Sequence, residues 1–359
     1  MLKKDRLEKV FKNLAEMNLT QMIVSDPNSI FYLTGRWIHP GERMLALYIN
    51  ANGNNKIFIN ELFTVPEELG VEKVWFSDIQ DGAEILSGYI EHDKPLGIDK
   101  TFVAKFLLRL MELNAASGYV NSSIAVDKAR MCKDEEEKQL MRNASKINDE
   151  AIARVIPLLK EGVTELEISD QVSAIYRELG AEGLSFDTII EFGPNCAIGH
   201  HEPDDTKLKP GDCVIIDIGC RKDSYCSDMT RTVYYKYQPE KQKELYDLVN
   251  KAVSTAIAMV KPGVRCCDLD NAARKVIADA GYGPYFTHRT GHFIGIEDHD
   301  FGDVSSVNTT VLEPGMIFSI EPGIYLVDDC GVRIEDLIMV TEDGYENLNA
   351  FTKEVIIVD

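Results

Sequence analysis

The sequence predicts an α+β chain of two domains: a small α/β domain over residues 1–124, then a larger domain over 125–359 whose two halves repeat each other. Three observations carry this reading. The pattern Leu-x-Pro-Gly, five residues, an acid, one residue and Gly occurs twice, as LKPGDCVIIDIG at 208–219 and LEPGMIFSIEPG at 312–323. Upstream, residues 158–180 align without gaps to 259–281, a shift of 101. Ahead of both, about 120 residues alternate short β-like runs with helical periodicity, a usual size for one domain.

Composition narrows the function. The 359 residues carry 59 acids against 38 bases, a net charge of −21. A nucleic-acid binder needs a basic footprint, so that class is disfavoured. The acidity is read as solubility. Eight cysteines are present with no CxxC pair. At this length a disulfide scaffold is not expected, so a reducing, cytoplasmic setting is. The N-terminus alternates charged and apolar residues and lacks the apolar core of a signal peptide. No run approaches the ~18 apolar residues of a membrane span, so no membrane association is expected.

In chain order, residues 1–18 read as an amphipathic helix. The runs QMIVS (21–25), MLALYIN (44–50), KIFIN (56–60), KVWF (73–76) and PLGID (95–99) read as strands. Helical stretches near 81–91 and 101–115 alternate with them. The loop TGRWIHPGER (34–43) holds Trp37 and His39 between glycines, with local packing the simplest role for both. Residues 119–133 read as a connection. A helix then opens at Asp134, which can cap with Glu137 as its reciprocal partner. Leu140, Ala144, Ile147, Ala151, Val155 and Leu158 follow at helical spacing. Another helix spans about 240–260, with Pro239 near its start. Each half is thus helix, helix, acid-bearing hairpin, and two helix pairs should back one curved antiparallel sheet.

The hairpins carry the chemistry. Asp217 and Glu321 each end an apolar run, and a buried ionised carboxylate must be paired or hold a metal. Asp228 lies eleven residues after Asp217, and Glu335 fourteen after Glu321. A turn over Arg221–Ser224 would pair Cys220 with Tyr225 and set Asp217 directly across from Asp228, on one face. Four such carboxylates without evident cationic partners call for divalent metal, two ions by count. Five of the seven histidines flank this repeat: His200, His201, His288, His292 and His299.

The run SFDTII, GPN, His200 and Pro203, VIIDIG, SDMTRT, TGHFIG with His299, SIEPGIY and GVRIEDLIMVTEDG resembles the "pita-bread" metallopeptidases, the creatinase/aminopeptidase-like fold of methionine aminopeptidase, Xaa-Pro aminopeptidase and Xaa-Pro dipeptidase (prolidase). NSIFYLTG (28–35) and the small first domain are similar to the Xaa-Pro branch. The resemblance implies that Asp217, Asp228, His292, Glu321 and Glu335 bind two divalent ions, with Asp228 and Glu335 bridging, Asp217 on one ion, and His292 and Glu321 on the other. Manganese suits such a site, and cobalt or zinc can substitute. Glu321 would also shuttle a proton, His200 and His299 would hold substrate and the tetrahedral intermediate, and Arg333 would orient carboxylates. Creatinase-like relatives lacking this ligand set are disfavoured.

The implied activity is hydrolysis of the bond before proline, in peptides with proline second, with a dipeptidase favoured. The alternatives are an Xaa-Pro aminopeptidase acting on longer peptides and, ranked lower, a scaffold without peptidase activity. The family also suggests a homodimer in which loop 34–43 approaches the partner's site. Departures are Gly199 for a frequent Pro, Phe293 for a frequent Gly, and Asp298 and Asp300 around His299. Phe293 and the two aspartates bear on pocket size and charge. His288 is placed near the pocket, and His201 is read as incidental.

Overall fold

Two helices, Glu165–Glu178 and Cys266–Asp279, begin and end at the 101-residue shift of the repeat. Thr164 opens the first: its hydroxyl accepts from the Glu167 amide, and the Glu167 carboxylate accepts from the Thr164 amide. At the equivalent start, Asp268 accepts from both the amide and Nε of Arg265. The Pro-Gly glycines of the repeated pattern, Gly211 and Gly315, sit at φ 93° and 88°. An L side chain rarely adopts that conformation, so both copies need glycine there.

The computed structural model describes residues 2–65 and 68–359. Met1, which the sequence reading includes in the first helix, lies outside them. Two units result, Met1–Arg130 and Met131–Asp359. The first holds a six-stranded mixed sheet in the order Glu72–Phe76, Lys56–Asn60, Ala46–Asn50, Gln21–Val24, Pro95–Ile98, Gly118–Asn121. Helix Lys4–Glu16 starts the chain, and Gly82–Ser87 and Ala104–Glu112 fall within the two expected helical stretches. The span 119–133, read as a connection, instead contains the end of strand Gly118–Asn121 and helix Ser123–Met131. The strand's parallel pairing with Pro95–Ile98 recruits it to the sheet, a tertiary effect invisible to local periodicity.

The second unit contains the helices Glu135–Val155, Glu165–Glu178, Glu240–Ile257 and Cys266–Asp279. Asp134 and Glu137 form the expected capping box. Each half has its own core. Ile152, Val155, Ile168 and Val172 are buried with Val214, Ile216 and Val233. Leu245, Val249, Val253 and Leu269 are buried with Phe318, Ile320, Ile338 and Val340. Each such side chain contributes about 1.5–3 kcal/mol on burial, so both carboxylate-bearing strands rest on a well-packed helical layer. Among the described residues, no helix is long and apolar enough to cross a membrane.

Two expectations about the sheet are corrected. The hairpin sets Lys222 against Tyr225 and Asp217 against Thr230, a register two residues from the expected one. The turn is the cause. Asp223 and Ser224 take φ 49° and 70°, so the loop has two left-handed residues, the kind that matches strand twist. A one-residue slip would send Asp217 to the opposite face, but a two-residue slip keeps it. Asp217 and Asp228 therefore share a face as diagonal neighbours. The single curved sheet is instead several ladders. They meet where Glu335 N donates to Thr230 O at 3.1 Å. Beside it, Thr232 Oγ1 accepts from Arg333 N at 3.1 Å and donates to Arg333 O at 2.8 Å, doing the work of two backbone groups.

Candidate active site

His200, Asp217, Asp228, His292, His299, Glu321, Arg333 and Glu335 all line one cavity of about 460 Å³. Asp217 lies near the end of strand Cys213–Ile218, and Asp228 immediately before strand Met229–Tyr235. His292 ends the short strand Gly291–His292. Glu321 follows strand Ile317–Ile320, and Glu335 lies between Cys330–Arg333 and Asp336–Val340. Ile320 pairs with Asp336, and Gly323 with Arg333. That constant register sets Glu321 opposite Glu335.

His292 is the hub. Its Nε2 lies 3.4 Å from Asp228 Oδ2 and 3.5 Å from Glu321 Oε1. Asp228, His292 and Glu335 each offer a ligand atom within 4.8 Å of the others. The imidazole is oriented from behind, with Nδ1 3.2 Å from Phe293 O. A carbonyl only accepts, so the proton sits on Nδ1 and the Nε2 lone pair faces the carboxylates. Ser319 Oγ accepts from His292 N and donates to Glu321 Oε1, both at 3.0 Å.

These donors fit divalent cations. Asp217 Oδ1, Asp228 Oδ1 and Glu335 Oε1 are buried without a hydrogen-bond partner among the described residues. Burial, then Glu335 and Asp217, push the Asp228 carboxyl well up, and burial, then Glu321 and Asp217, do the same to Glu335. Burial raises Glu321 to about 7 against the pull of Arg333. Acids crowded in this way are relieved by bound cations. Asp217 has one fixed positive partner, Arg333, whose Nη2 donates to Oδ2 at 2.7 Å. Arg333 also donates from Nε to Thr230 Oγ1 at 3.3 Å, and Thr230 donates in turn to Glu335 Oε2 at 2.8 Å. The Arg333 face shared with Glu335 is thus used to brace two carboxylates.

The histidines divide by position. The His299 ring stacks on His292 with centroids 3.8 Å apart and planes 19° apart. Its Nδ1 accepts from Arg289 Nη2 at 2.9 Å, and its Nε2 lies 3.4 Å from Asp298 Oδ2. His200 is exposed on the cavity wall. It follows Gly199, whose φ of 78° a proline ring forbids. His288 also lines the cavity, bonded through Nε2 to Tyr325 OH at 2.8 Å and through Nδ1 to Arg289 O at 2.7 Å. Burial pushes it down to about 4, so it stays neutral.

His201 lies off the cavity wall. Its Nε2 bonds Glu165 Oε2 at 3.0 Å, and its amide donates to Glu191 Oε1 at 3.1 Å. Glu165 also accepts from Phe192 N and Asp204 N. Together they fasten the loop that carries His200. Glu165, His201 and Asp204 have ligand spacing too, but both Glu165 oxygens are hydrogen-bonded. Phe293 is buried against Phe318 at 5.5 Å, so it fills core and leaves the cavity unchanged. Asp300 is buried on Lys133 at 3.2 Å. Of the departures around His299, only Asp298 reaches the wall. Trp37 stacks between Phe31 and His39, at 4.6 and 5.7 Å.

Several wall and support residues escape the sequence reading, among them Tyr325, Thr230 and Arg289. Tyr325, four residues after Glu321, was within reach of strand alternation. Thr230 required the correct hairpin register. Arg289 follows no spacing rule and is placed by tertiary structure.

Comparison with known proteins agrees with this geometry. Residues 139–342 match metallopeptidase family M24, and residues 6–132 match the creatinase/prolidase N-terminal domain. An uncharacterized peptidase of Staphylococcus aureus is 35% identical, covering 97% of this chain and 99% of its own. Among solved structures, a dipeptidase from Pyrococcus horikoshii OT3 superimposes with TM-score 0.92 at 33% identity, over 98% of this chain and all of its own. A prolidase from Thermococcus sibiricus gives 0.93 at 32%, over the full length of both chains. An Xaa-Pro dipeptidase from Bacillus anthracis gives 0.90 at 28%, over 99% of each.

Proposed function

The chain belongs to metallopeptidase family M24, and from that membership we propose that it is a two-metal Xaa-Pro dipeptidase, cleaving the bond before proline in dipeptides and short peptides. One observation carries the reading: Asp228 and Glu335 stand at ligand spacing with His292, and buried oxygens of both, with one of Asp217 in the same cavity, lack a hydrogen-bond partner among the described residues. The choice of substrate is supported by structural relatives that are a dipeptidase, a prolidase and an Xaa-Pro dipeptidase.

In this reading Asp217, Asp228, His292, Glu321 and Glu335 hold the ions. When bound, a divalent pair acidifies water and polarises the scissile carbonyl. The chain does the rest. Glu321, steered by the Ser319 hydroxyl, takes the water's proton and returns it to the departing proline nitrogen. His299 and His200 border the open side, where they hydrogen-bond the substrate and the oxygen that becomes negative during attack. Arg333 keeps Asp217 in place, and the neutral His288 steadies Tyr325 beside it.

The carboxylate-rich donor set suits manganese. Eight free cysteines support a cytoplasmic setting. We also assign a homodimer in which loop 34–43 borders the partner's cavity; light scattering at micromolar concentration should then give twice the chain mass. The activity test is hydrolysis of Ala-Pro against Ala-Ala by manganese-loaded protein. Rapid, chelator-sensitive cleavage of Ala-Pro is expected. Equal cleavage of both, or activity indifferent to chelator, refutes the reading.

A further inference from the structure

Two chain segments meet edge to edge at the ligands. Thr290 O accepts from Glu321 N at 2.8 Å, and His292 N donates to Ser319 Oγ at 3.0 Å. The approach is close: a Cβ on Gly291 would lie 1.9 Å from Ser319 O. Residues 290–292 therefore place His292 and Glu321 together, and whatever fixes Thr290 fixes both. The helix Cys266–Asp279 fixes Thr290. Asp270 on this helix is fully buried. Its Oδ1 accepts from Thr290 Oγ1 at 2.8 Å and from Thr290 N at 3.2 Å, an amide shared with Val304 O at 2.9 Å.

One turn on, Arg274 donates to Asp270 from Nε to Oδ2 and from Nη2 to Oδ1, both at 3.0 Å. The i, i+4 spacing puts the two side chains on one helix face. The guanidinium also reaches the segment before Thr290. Nη1 donates to Phe286 O and Nη2 to His288 O, both at 2.9 Å, and the group lies 4.1 Å over the Phe286 ring. A buried network bonded at this many points holds a single geometry. Ligands held in advance need no ordering when the ion arrives. Asp217 rests on other supports. Arg333 Nη2 holds its Oδ2 at 2.7 Å, and Asn148 Nδ2 donates to Ile218 O at 2.8 Å. Those two groups come from strand Cys330–Arg333 and helix Glu135–Val155.

We propose that Asp270 and Arg274 are positioning residues of the metal centre: they hold Thr290, and through it set His292 and Glu321 as one unit for a single ion. The proposal rests on the two-metal reading above, in which Asp217 serves the other ion. It adds that the two affinities are set by separate parts of the fold. Asp270 and Arg274 stand behind the cavity wall, whose lining begins at Thr287, His288 and Arg289 in this segment. They act through Thr290 and touch neither ion nor substrate.

Stepwise manganese titration by equilibrium dialysis reads the two affinities on wild type, Asp270→Asn and Thr290→Val. Asp270→Asn keeps the shape but turns one acceptor oxygen into an N–H donor against Arg274. Thr290→Val removes only the hydroxyl bond and leaves the helix pair intact, so it serves if Asp270→Asn does not fold. In each variant one affinity should fall 10–100-fold, as for other outer hydrogen bonds of metal ligands, and the other should stay within about twofold. A general loss of structure would weaken both. Equal loss at both ions, or no loss, overturns the proposal. Hydrogen exchange of metal-free protein gives an arm that needs no ion. Peptides over residues 287–293 and 317–322 should exchange about three- to tenfold faster in both variants, the effect of one lost hydrogen bond. Peptides over 213–218 should be unchanged. Unaltered exchange at 317–322, or faster exchange everywhere, overturns the assignment. If wild type binds fewer than two ions, the two-metal reading falls, and exchange alone decides Asp270.

Discussion

Arg333 and Asp217 form a buried ion pair, Nη2 to Oδ2 at 2.7 Å, beside three carboxylates that no arginine or lysine contacts among the described residues. The pair is asymmetric. Asp217 Oδ2 is committed to the guanidinium, while Oδ1 has no hydrogen-bond partner among the described residues. One oxygen thus anchors the side chain and the other is presented to the cavity.

Removing the arginine isolates a buried charge, which costs about 3–5 kcal/mol. Arg333→Met should therefore lower the melting temperature of metal-free protein by about 6–20 °C, at about 2–4 °C per kcal/mol for a domain this size. Manganese should restore part of the loss, because a cation can take over Asp217. A thermal melt with and without manganese reads both effects. No restoration by the metal would mean that Asp217 does not face the ions.

Thr230 links Arg333 to Glu335 by accepting from one and donating to the other. Thr230→Val keeps the shape and removes the hydroxyl. Loss of such an outer hydrogen bond typically weakens metal binding 10–100-fold. Competition with a chelator should show that drop while the far-ultraviolet spectrum stays unchanged. Unaltered affinity would confine Thr230 to packing.

The legible part of the site is the part tied to short-range pattern. The repeat exposes Asp217 and Glu321 because each closes an apolar run, where ionisation needs a reason, and Asp228 and Glu335 because each follows its partner at hairpin spacing. The pairing of Asp217 escapes it because the turn depends on left-handed Asp223 and Ser224, and neither is the glycine that usually marks such a turn. Lys133 and Asp300 are 167 residues apart and meet inside the core, which no periodicity encodes. Arg289 is likewise a product of where the chain folds back.

Glu191, which is not itself one of the proposed metal ligands, supplies a pH signature. Burial raises its carboxyl from 4.5 to about 7, against the pull of Arg333. Its Oε1 accepts from His201 N, and Oε2 is buried without a hydrogen-bond partner among the described residues. The folded chain therefore binds this proton more tightly than the unfolded one. Stability falls as pH rises from about 4.5 through about 7. Glu191→Gln cannot ionise and keeps the carbonyl acceptor. At saturating manganese it should be more stable than wild type at pH 8 by on the order of 2 kcal/mol, and the two should converge at pH 5. An equal gain at both pH values would exclude ionisation as the cause.

Glu321 and His299 both face the cavity, but the structure gives them different neighbours. Glu321 Oε1 is 3.5 Å from His292 Nε2 and is held by Ser319, so it belongs to the ligand cluster as well as to proton transfer. His299 touches that cluster through ring stacking, and its Nδ1 accepts from Arg289, so its proton is on Nε2, 3.4 Å from Asp298 Oδ2 and on the cavity side where substrate can receive it. Glu321→Gln should abolish turnover, by at least the 10²–10⁴-fold of a lost proton shuttle, and should also lower the content of one ion. His299→Ala should retain both ions and slow Ala-Pro hydrolysis by roughly 10²–10³-fold, as for a lost oxyanion donor. Elemental analysis alongside kcat separates the two. If His299→Ala lost both ions while His292→Ala kept them, the two imidazoles would have exchanged roles, and the ligand set built around His292 would have to be redrawn around His299.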